Sequence, residues 1–193
     1  MLYINDHIRE MNLQQELQLV SEERRQKVLA FRHEEGQRLS VAAYRLLQQA
    51  LLLEYGISTA PVFRYGDHGK PFLSSRPDLF FSLSHCRSGA MCVVSRGNVG
   101  CDIESANRKV SEAVMRRCFN SRETRAVHAS SNPSLEFARI WTRKEAVGKF
   151  LGCGIDDTAP GILEEAEAAG LKIISGMNFA RNYVYSLCCG KEE

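Results

Sequence analysis

The 193-residue chain lacks any apolar run of the roughly 20 residues that a helix needs to cross a bilayer. Its N-terminus also lacks the basic segment followed by an apolar segment that is typical of a secretory signal peptide. We therefore expect a cytoplasmic protein. A net charge of +2 is too small to indicate nucleic acid binding by itself, although a local basic site would still suit an acidic partner.

The seven cysteines form no CxxC pair, which argues against a zinc ribbon or a thioredoxin motif. Their number is odd and their positions are scattered, as expected for small buried side chains in a reducing compartment. With 44% hydrophobic and 25% charged residues, the chain has the composition of a globular protein. Its length allows a core without metal or disulfide cross-links.

Hydrophobic periodicity predicts helices in several parts of the chain. Apolar residues recur at helical spacing from Ser21 to Tyr55, with Ser21 as the N-cap, Gly36 as a break between two helices and Gly56 as the C-cap. Further helices are predicted over residues 111–119, 121–128 and 134–151, while residues 164–169 fit either a short helix or a poor strand.

Shorter apolar runs bounded by turn residues predict strands at 1–9, 61–65, 79–84, 90–95, 99–104, 171–175 and 183–189. Arg96-Gly97-Asn98 is interpreted as a hairpin-type turn. Each half of the chain thus offers helical material followed by strands. This predicts an α+β fold of two lobes, an N-terminal lobe over residues 1–97 and a C-terminal lobe over residues 98–193.

Two acidic residues lie near the end of the predicted strand at 99–104. Asp102 and Glu104 share one face of a strand, and Ile103 points into the opposite layer. Neighbouring carboxylates repel each other unless a cation or a proton lies between them, and Mg²⁺ prefers such oxygen ligands. The alternative is a solvated polar face at the end of a strand.

The helix predicted over residues 134–151 carries Trp141, Glu145 and Lys149 on one stripe, with Lys144 adjacent. Alone, this pattern also fits a surface helix with a Glu–Lys pair. Together with the acidic strand it offers three carboxylates and two ammonium groups. That combination indicates Mg²⁺-assisted chemistry at a phosphate ester.

Four motifs follow one another in a specific order. Gly69-Lys70-Pro71, Phe81-Ser82-Leu83-Ser84-His85, Val99-Gly100-Cys101-Asp102-Ile103-Glu104 and the segment from Trp141 to Lys149 together resemble the Sfp-type 4′-phosphopantetheinyl transferases. The motifs cover residues 60–155. The resemblance implies two pseudosymmetric α+β lobes in a monomeric chain, with coenzyme A in the cleft between them.

The resemblance also implies the reaction and the roles of individual residues. The phosphopantetheine arm of coenzyme A would move to a serine of an acyl or peptidyl carrier protein, with Mg²⁺ as cofactor and adenosine 3′,5′-bisphosphate as the other product. The metal ligands would be Asp102, Glu104 and Glu145, the catalytic residues Glu145 and Lys149, and the coenzyme A contacts Lys27, Arg38, Lys70, Pro71, Ser84, His85 and Lys144.

Carrier proteins are acidic around the modified serine, so a basic surface is expected to bind them. The candidate surface combines Arg108, Lys109, Arg116, Arg117, Arg122 and Arg125 with the apolar residues Val114, Met115 and Phe119. An ordinary basic helix surface is the alternative. For the whole chain, two other functions remain open: a different Mg²⁺-dependent phosphohydrolase or nucleotidyl transferase, and a non-catalytic carrier-binding module.

Overall fold

The computed structural model describes residues 1–66, 68–155 and 159–191. Over these ranges the helices are α1 Leu13–Gln18, α2 Glu22–Leu29, α3 Glu34–Tyr55, α4 Glu112–Cys118, α5 Ser121–Ala129, α6 Pro133–Leu151 and α7 Ile162–Ala168. The strands are β1 Leu2–Asn5, β2 Phe63–Tyr65, β3 Pro71–Leu73, β4 Phe80–Cys86, β5 Gly89–Ser95, β6 Val99–Ser105, β7 Lys172–Asn178 and β8 Tyr183–Cys189. The predicted α+β class is confirmed.

Two three-stranded antiparallel sheets have the same internal order. The first runs β1-β5-β4 and packs on α3, and the second runs β6-β8-β7 and packs on α6. In each, a strand leads to a long helix and then to a hairpin whose second strand pairs with the first one. This repetition is consistent with two lobes, but the division at residue 97 remains a prediction. A small β2-β3 hairpin stands beside them.

The two sheets meet where β4 lies beside β6. Side chains bridge these strands, because the Ser82 hydroxyl accepts a hydrogen bond from the Cys101 backbone N–H at 3.0 Å. An apolar cluster beneath this contact includes Met91, Val93 and Ile103, which joins the first sheet to the second. The strand β6 is therefore central in the molecule, and its outward residues face a region bordered by both halves.

Gly100 lets α6 approach β6 closely. A Cβ atom at this position would lie 2.0 Å from the carbonyl oxygen of Ala146 and 2.3 Å from the backbone nitrogen of Phe150. Such distances exclude any side chain, so the helix backbone rests directly on the strand. This packing brings the second half of α6 over the acidic end of β6.

The ends of the long helices follow their capping residues. The Asn132 side chain accepts from the Leu135 N–H, and Pro133 follows as the first residue of α6. Gly56 and Gly152 end α3 and α6 in the left-handed conformation, with φ of 66° and 80°. The predicted C-cap at Gly56 and the predicted end of α6 at residue 151 are confirmed.

Other local predictions are corrected. The break between α2 and α3 lies at residues 30–33, and Gly36 is inside the first turn of α3, where the Phe31 ring packs against it. Strand β4 continues through His85 to Cys86 instead of ending at residue 84. The connection at residues 96–98 is not a hairpin turn, because β5 and β6 belong to different sheets. Residues 162–168 are helical.

Candidate active site

A cleft of about 430 Å³ lies where β4 and β6 meet α6. Residues from both halves of the chain line it, so a ligand bound here would contact α2, α3, both strands and the stripe of α6 that carries Trp141, Glu145 and Lys149. The lining consists of Arg24, Ala43, Leu83, Ser84, His85, Asp102, Ile103, Glu104, Arg108, Trp141, Glu145 and Lys149.

Asp102 is the most enclosed acid of the cleft, with 6% of its surface exposed. One of its oxygens accepts from the Ser84 hydroxyl at 2.6 Å and from the Lys149 ammonium at 2.7 Å. Burial alone would favour the neutral amine of Lys149, but the charge and hydrogen bond of Asp102, with electrostatic contributions from Cys101 and Glu145, together outweigh burial and raise the lysine pKa. Lys149 is therefore a fixed positive charge in the cleft.

Glu145 is half-buried one helical turn before Lys149. Burial and the nearby charge of Asp102 raise the pKa of Glu145, while Lys149 and Arg108 partly offset this. A carboxylate with a raised pKa is a stronger base than an exposed one. The group is thus a better proton acceptor than an exposed carboxylate would be.

Glu104 is paired with Arg108, which lies four residues later. The Arg108 guanidinium also stacks on the Trp141 ring, 4.7 Å from its centroid, and contacts the Phe137 ring at 5.6 Å. The single tryptophan is thereby a half-buried platform at the cleft rather than only core. Arg108 is a cleft residue, although the sequence placed it on the carrier surface.

The three predicted metal ligands face one cleft but do not form a ready-made metal cluster. Along the described ranges, no three His, Cys, Asp or Glu side chains are close enough to hold an ion together. Asp102 and Glu104 are bonded to cationic side chains instead. The donor set still fits a hard cation, because Ile103 points into the core while three carboxylates, including Glu145, border the cavity.

A smaller cavity of about 210 Å³ adjoins the cleft through Leu83 and Lys149. Lys70 and Pro71 line it, as do Gly148, Gly152 and Gly154.

Ser84 and His85 extend from β4 toward the cleft. The Ser84 hydroxyl is committed to Asp102. Desolvation in the cleft, together with the positive charge of Lys149, lowers the pKa of His85. His85 is accordingly disposed to stay neutral near pH 7, so that it would hydrogen-bond to a ligand rather than add a full charge.

Lys144, a predicted coenzyme A contact, does not line the cleft in this structure. Lys144 has no exposed surface, forms an ion pair with Glu123 at 2.9 Å and donates to the Ala159 carbonyl at 2.7 Å. It lies on the face of α6 that packs on α5, and the described pockets do not include it. A phosphate contact would require both bonds to break.

Lys27 and Arg38 also do not line the cleft. Lys27 is bonded to Glu23 at 2.7 Å and stacks on the exposed Tyr65 ring. Arg38 is paired with Glu34 and donates to the Met11 carbonyl, which ties α3 to the segment before α1. Neither side chain is therefore positioned for the predicted coenzyme A contact in this cleft.

Arg24 is the basic residue of α2 that does reach the cleft. Its guanidinium donates to the carbonyl and hydroxyl of Ser40 at 3.0 and 2.8 Å and lies over the Tyr44 ring, while its buried Nε has no partner within the described ranges. In the sequence, Arg24 follows Glu22 and Glu23, so it fits an ordinary helix surface of mixed charge. The helical spacing to Val28 could have indicated that Arg24 points inward, because Val28 lies one turn later on the same face and is fully buried.

Comparisons with known proteins agree with these motifs. A sequence profile described as the 4′-phosphopantetheinyl transferase superfamily matches residues 98–181. The chain is 39% identical over 114 residues to the 4′-phosphopantetheinyl transferase AcpT of Escherichia coli K12, covering 56% of this chain and 57% of that protein. It is 32% identical over 127 residues to the Salmonella typhimurium AcpT, covering 61% and 66%.

A 4′-phosphopantetheinyl transferase of Bacillus subtilis is 29% identical over 140 residues, covering 70% of this chain and 62% of that protein. The chain thus matches slightly less than two thirds of the length of these relatives. The solved holo-[acyl-carrier-protein] synthase of Neisseria meningitidis aligns with 49% of this chain and 98% of its own, at a TM-score of 0.38 and 19% identity. By its sequence, the chain is therefore similar to the 4′-phosphopantetheinyl transferase superfamily, whose profile matches residues 98–181, and to the relatives named above.

Proposed function

We propose that this protein transfers the 4′-phosphopantetheine arm of coenzyme A to a serine of an acyl or peptidyl carrier protein and releases adenosine 3′,5′-bisphosphate. One observation carries the proposal: Asp102, Glu145 and Lys149 border a single cleft, inside the region that matches the superfamily. A base, a fixed cation and a group of carboxylates are what phosphoryl transfer from a diphosphate requires.

In the proposed reaction the serine oxygen attacks the phosphorus that carries the arm. The bond between this phosphorus and the bridging oxygen of the diphosphate breaks, and the electron pair leaves with adenosine 3′,5′-bisphosphate. Glu145 accepts the serine proton, directly or through a water molecule, and its raised pKa favours this role. Lys149 stabilises the negative charge that develops on the diphosphate oxygens.

Asp102, Glu104 and Glu145 would hold Mg²⁺, which when bound supplies charge neutralisation for the diphosphate. For this, Asp102 and Glu104 must exchange a cationic side chain for the ion. Lys149 would then be free to turn from Asp102 toward the phosphate oxygens. Arg108 would keep its stacking on Trp141.

For coenzyme A itself, the smaller cavity beside Lys70 and Pro71 is the proposed adenine site. We assign the 3′-phosphate to His85 and Arg24, since these two basic side chains line the cleft from β4 and α2. This assignment replaces Lys27 and Arg38.

The proposed carrier surface is the basic face of α4 and α5. Arg116, Arg122 and Arg125 are exposed there, as is Arg117. The apolar part of the predicted surface is corrected, because Met115 and Phe119 are 1% and 5% exposed and pack in the core with Phe137. Charge rather than apolar contact is therefore the proposed basis of carrier binding.

We further propose that the protein works as a monomer with two lobes, residues 1–97 and residues 98–193. The first lobe would supply the adenine and 3′-phosphate contacts, and the second would supply the metal and catalytic residues.

Among the described residues, none of the helices combines the length and the apolar character that crossing a membrane requires.

The test is incubation of the protein with coenzyme A, Mg²⁺ and a panel of apo carriers, followed by mass spectrometry. The expected result is a gain of about 340 Da, the mass of the arm, on one carrier serine. A phosphohydrolase would consume coenzyme A and leave every carrier unchanged. A non-catalytic module would bind a carrier without consuming coenzyme A, and either outcome would overturn the proposal.

A further inference from the structure

Lys70 links three separate parts of the chain. Its ammonium donates to the Asn98 side-chain oxygen at 2.6 Å, to the Val99 carbonyl at 3.1 Å and to the Phe150 carbonyl at 3.0 Å. All three donors of the ammonium group are thereby used. The contacts join the turn before β3 to the start of β6 and to the last turn of α6.

The Phe150 carbonyl is one of the last carbonyls of α6, which have no N–H partner further along the helix. It accepts from Lys70 and also from the Asn98 side-chain amide at 2.6 Å. The stem of Lys70 lies beside Gly152, where an added Cβ would be 3.4 Å from the Lys70 Cδ. A lysine from the first half of the chain thus caps the helix that carries Glu145 and Lys149.

The charge of Lys70 has no carboxylate partner along the described ranges; its three acceptors are neutral. Burial accordingly lowers the pKa of Lys70. The negative end of the α6 dipole compensates part of this cost. An apolar side chain would fill the same space without desolvating an ammonium group, so packing alone does not account for a lysine here.

We propose that Lys70 is a positioning residue. It fixes the last turn of α6, and with it Lys149, against the turn before β3, which lines the smaller cavity. Lys149 directly precedes Phe150 and lines that cavity together with Lys70 and Pro71. The inference rests on the proposed function only where coenzyme A is concerned. The effect of Lys70 on the order of the last turn of α6 does not depend on that function.

The experiment compares Lys70→Met with Lys144→Met. Both replacements keep an unbranched stem and remove an ammonium, half-buried in Lys70 and fully buried in Lys144, that bonds to a backbone carbonyl, but only Lys70 caps α6. Hydrogen exchange with mass spectrometry is measured where both variants remain folded. In Lys70→Met the amides of residues 148–154 are expected to exchange about tenfold faster, since the last turn opens locally. In Lys144→Met the acceleration is expected over α5 instead.

Direct titration with coenzyme A, without carrier, gives the second readout. Its dissociation constant is expected to rise about tenfold in Lys70→Met, as for loss of a supporting contact around a ligand site, and to stay unchanged in Lys144→Met. Asn98→Ala should shift exchange in the same direction by less, because Asn98 bonds to both Lys70 and Phe150. This variant also keeps the test valid if Lys70→Met does not fold.

Unchanged exchange at residues 148–154 in Lys70→Met would overturn the inference, as would equal acceleration there in Lys144→Met. A parent protein that binds no coenzyme A would instead refute the proposed function. In that case the exchange comparison still decides the role of Lys70.

Discussion

Lys144 and Lys149 lie five residues apart on α6, yet their ammonium groups are in opposite surroundings. Lys149 borders the cleft and pairs with Asp102, whereas Lys144 is fully buried and pairs with Glu123. At 3.6 residues per turn, five residues separate two side chains by about 140° around the axis. The cleft face of α6 is thus available for chemistry, while its inner face joins α6 to α5.

The two ion pairs differ in what could replace them. Asp102 faces a cavity, so its lysine can be exchanged for a ligand or an ion. Glu123 also caps α5 through its side chain, and neither member of its pair faces the cleft. Similar pairs on one helix therefore serve different purposes, and removing them should have different consequences.

Glu145→Gln on the cleft face is expected to have the largest effect. The variant loses the proposed base, so turnover should fall about 10³-fold, within the range for removal of general base catalysis. Coenzyme A affinity in the absence of metal should be retained or somewhat increased, because the side chain keeps its size and a neutral amide does not repel the diphosphate as a carboxylate does. Transfer rates by mass spectrometry and direct titration measure both. Undiminished turnover would show that Glu145 is not the base.

Lys144→Met on the inner face should instead affect stability. It leaves Glu123 buried without its cation, which lowers the free energy of unfolding by about 3 kcal/mol. Urea unfolding measures the loss, and transfer per folded molecule should be unchanged. A lost affinity for coenzyme A at normal stability would restore the earlier prediction that Lys144 contacts the ligand.

Arg116→Glu combined with Arg117→Glu tests the proposed carrier surface on α4. This surface is separate from both the cleft face and the inner face of α6. The Michaelis constant for the carrier should rise about tenfold at low salt, because opposite charges steer the partners together. The constant for coenzyme A should change little. A matched control places the same charge change on the exposed Arg9 and Lys172. Equal effects on both substrates, or from the control pair, would contradict the docking surface.

The smallest expected effect is a pH dependence of stability. The folded-state pKa of Glu145 is raised above its ordinary value of 4.5, so the folded protein holds this proton more tightly than the unfolded chain. Stability from this group is therefore present below pH 4.5 and is lost as pH rises through the folded pKa. Glu145→Gln should become more stable than the parent over that window. A stability difference independent of pH would mean that Glu145 is not desolvated as described.

Local sequence signals predicted much of the fold and part of the cleft. Gly56 and Gly152 end their helices because left-handed capping depends on a few neighbouring atoms. The alternation of Asp102 and Ile103 and the helical spacing of Glu145 and Lys149 fixed which side chains share a face. These signals depend on residues that are close in sequence, so they can be used before the tertiary packing of the helix or strand is known.

The predictions for Lys144 and Arg38, and the missed Arg24, concern cations that have partners distant in sequence. Lys144 finds Glu123, Arg38 reaches the Met11 carbonyl, and Arg24 turns toward Ser40 and the cleft. Whether a lysine or arginine faces a ligand site or an internal acceptor depends on how helices pack. Helical periodicity gives the direction of a side chain but not the identity of its neighbour, so Arg24 was missed and Lys144 was misplaced.

The central claim is that carboxylates from β6 and α6 bind one divalent ion beside the diphosphate of coenzyme A. Electron paramagnetic resonance titration with Mn²⁺, in the presence of coenzyme A, tests it most directly. The account predicts one ion per chain, with affinity weakened at least about tenfold by Asp102→Asn and also by Glu145→Gln. Binding as tight in both variants as in the parent would contradict it.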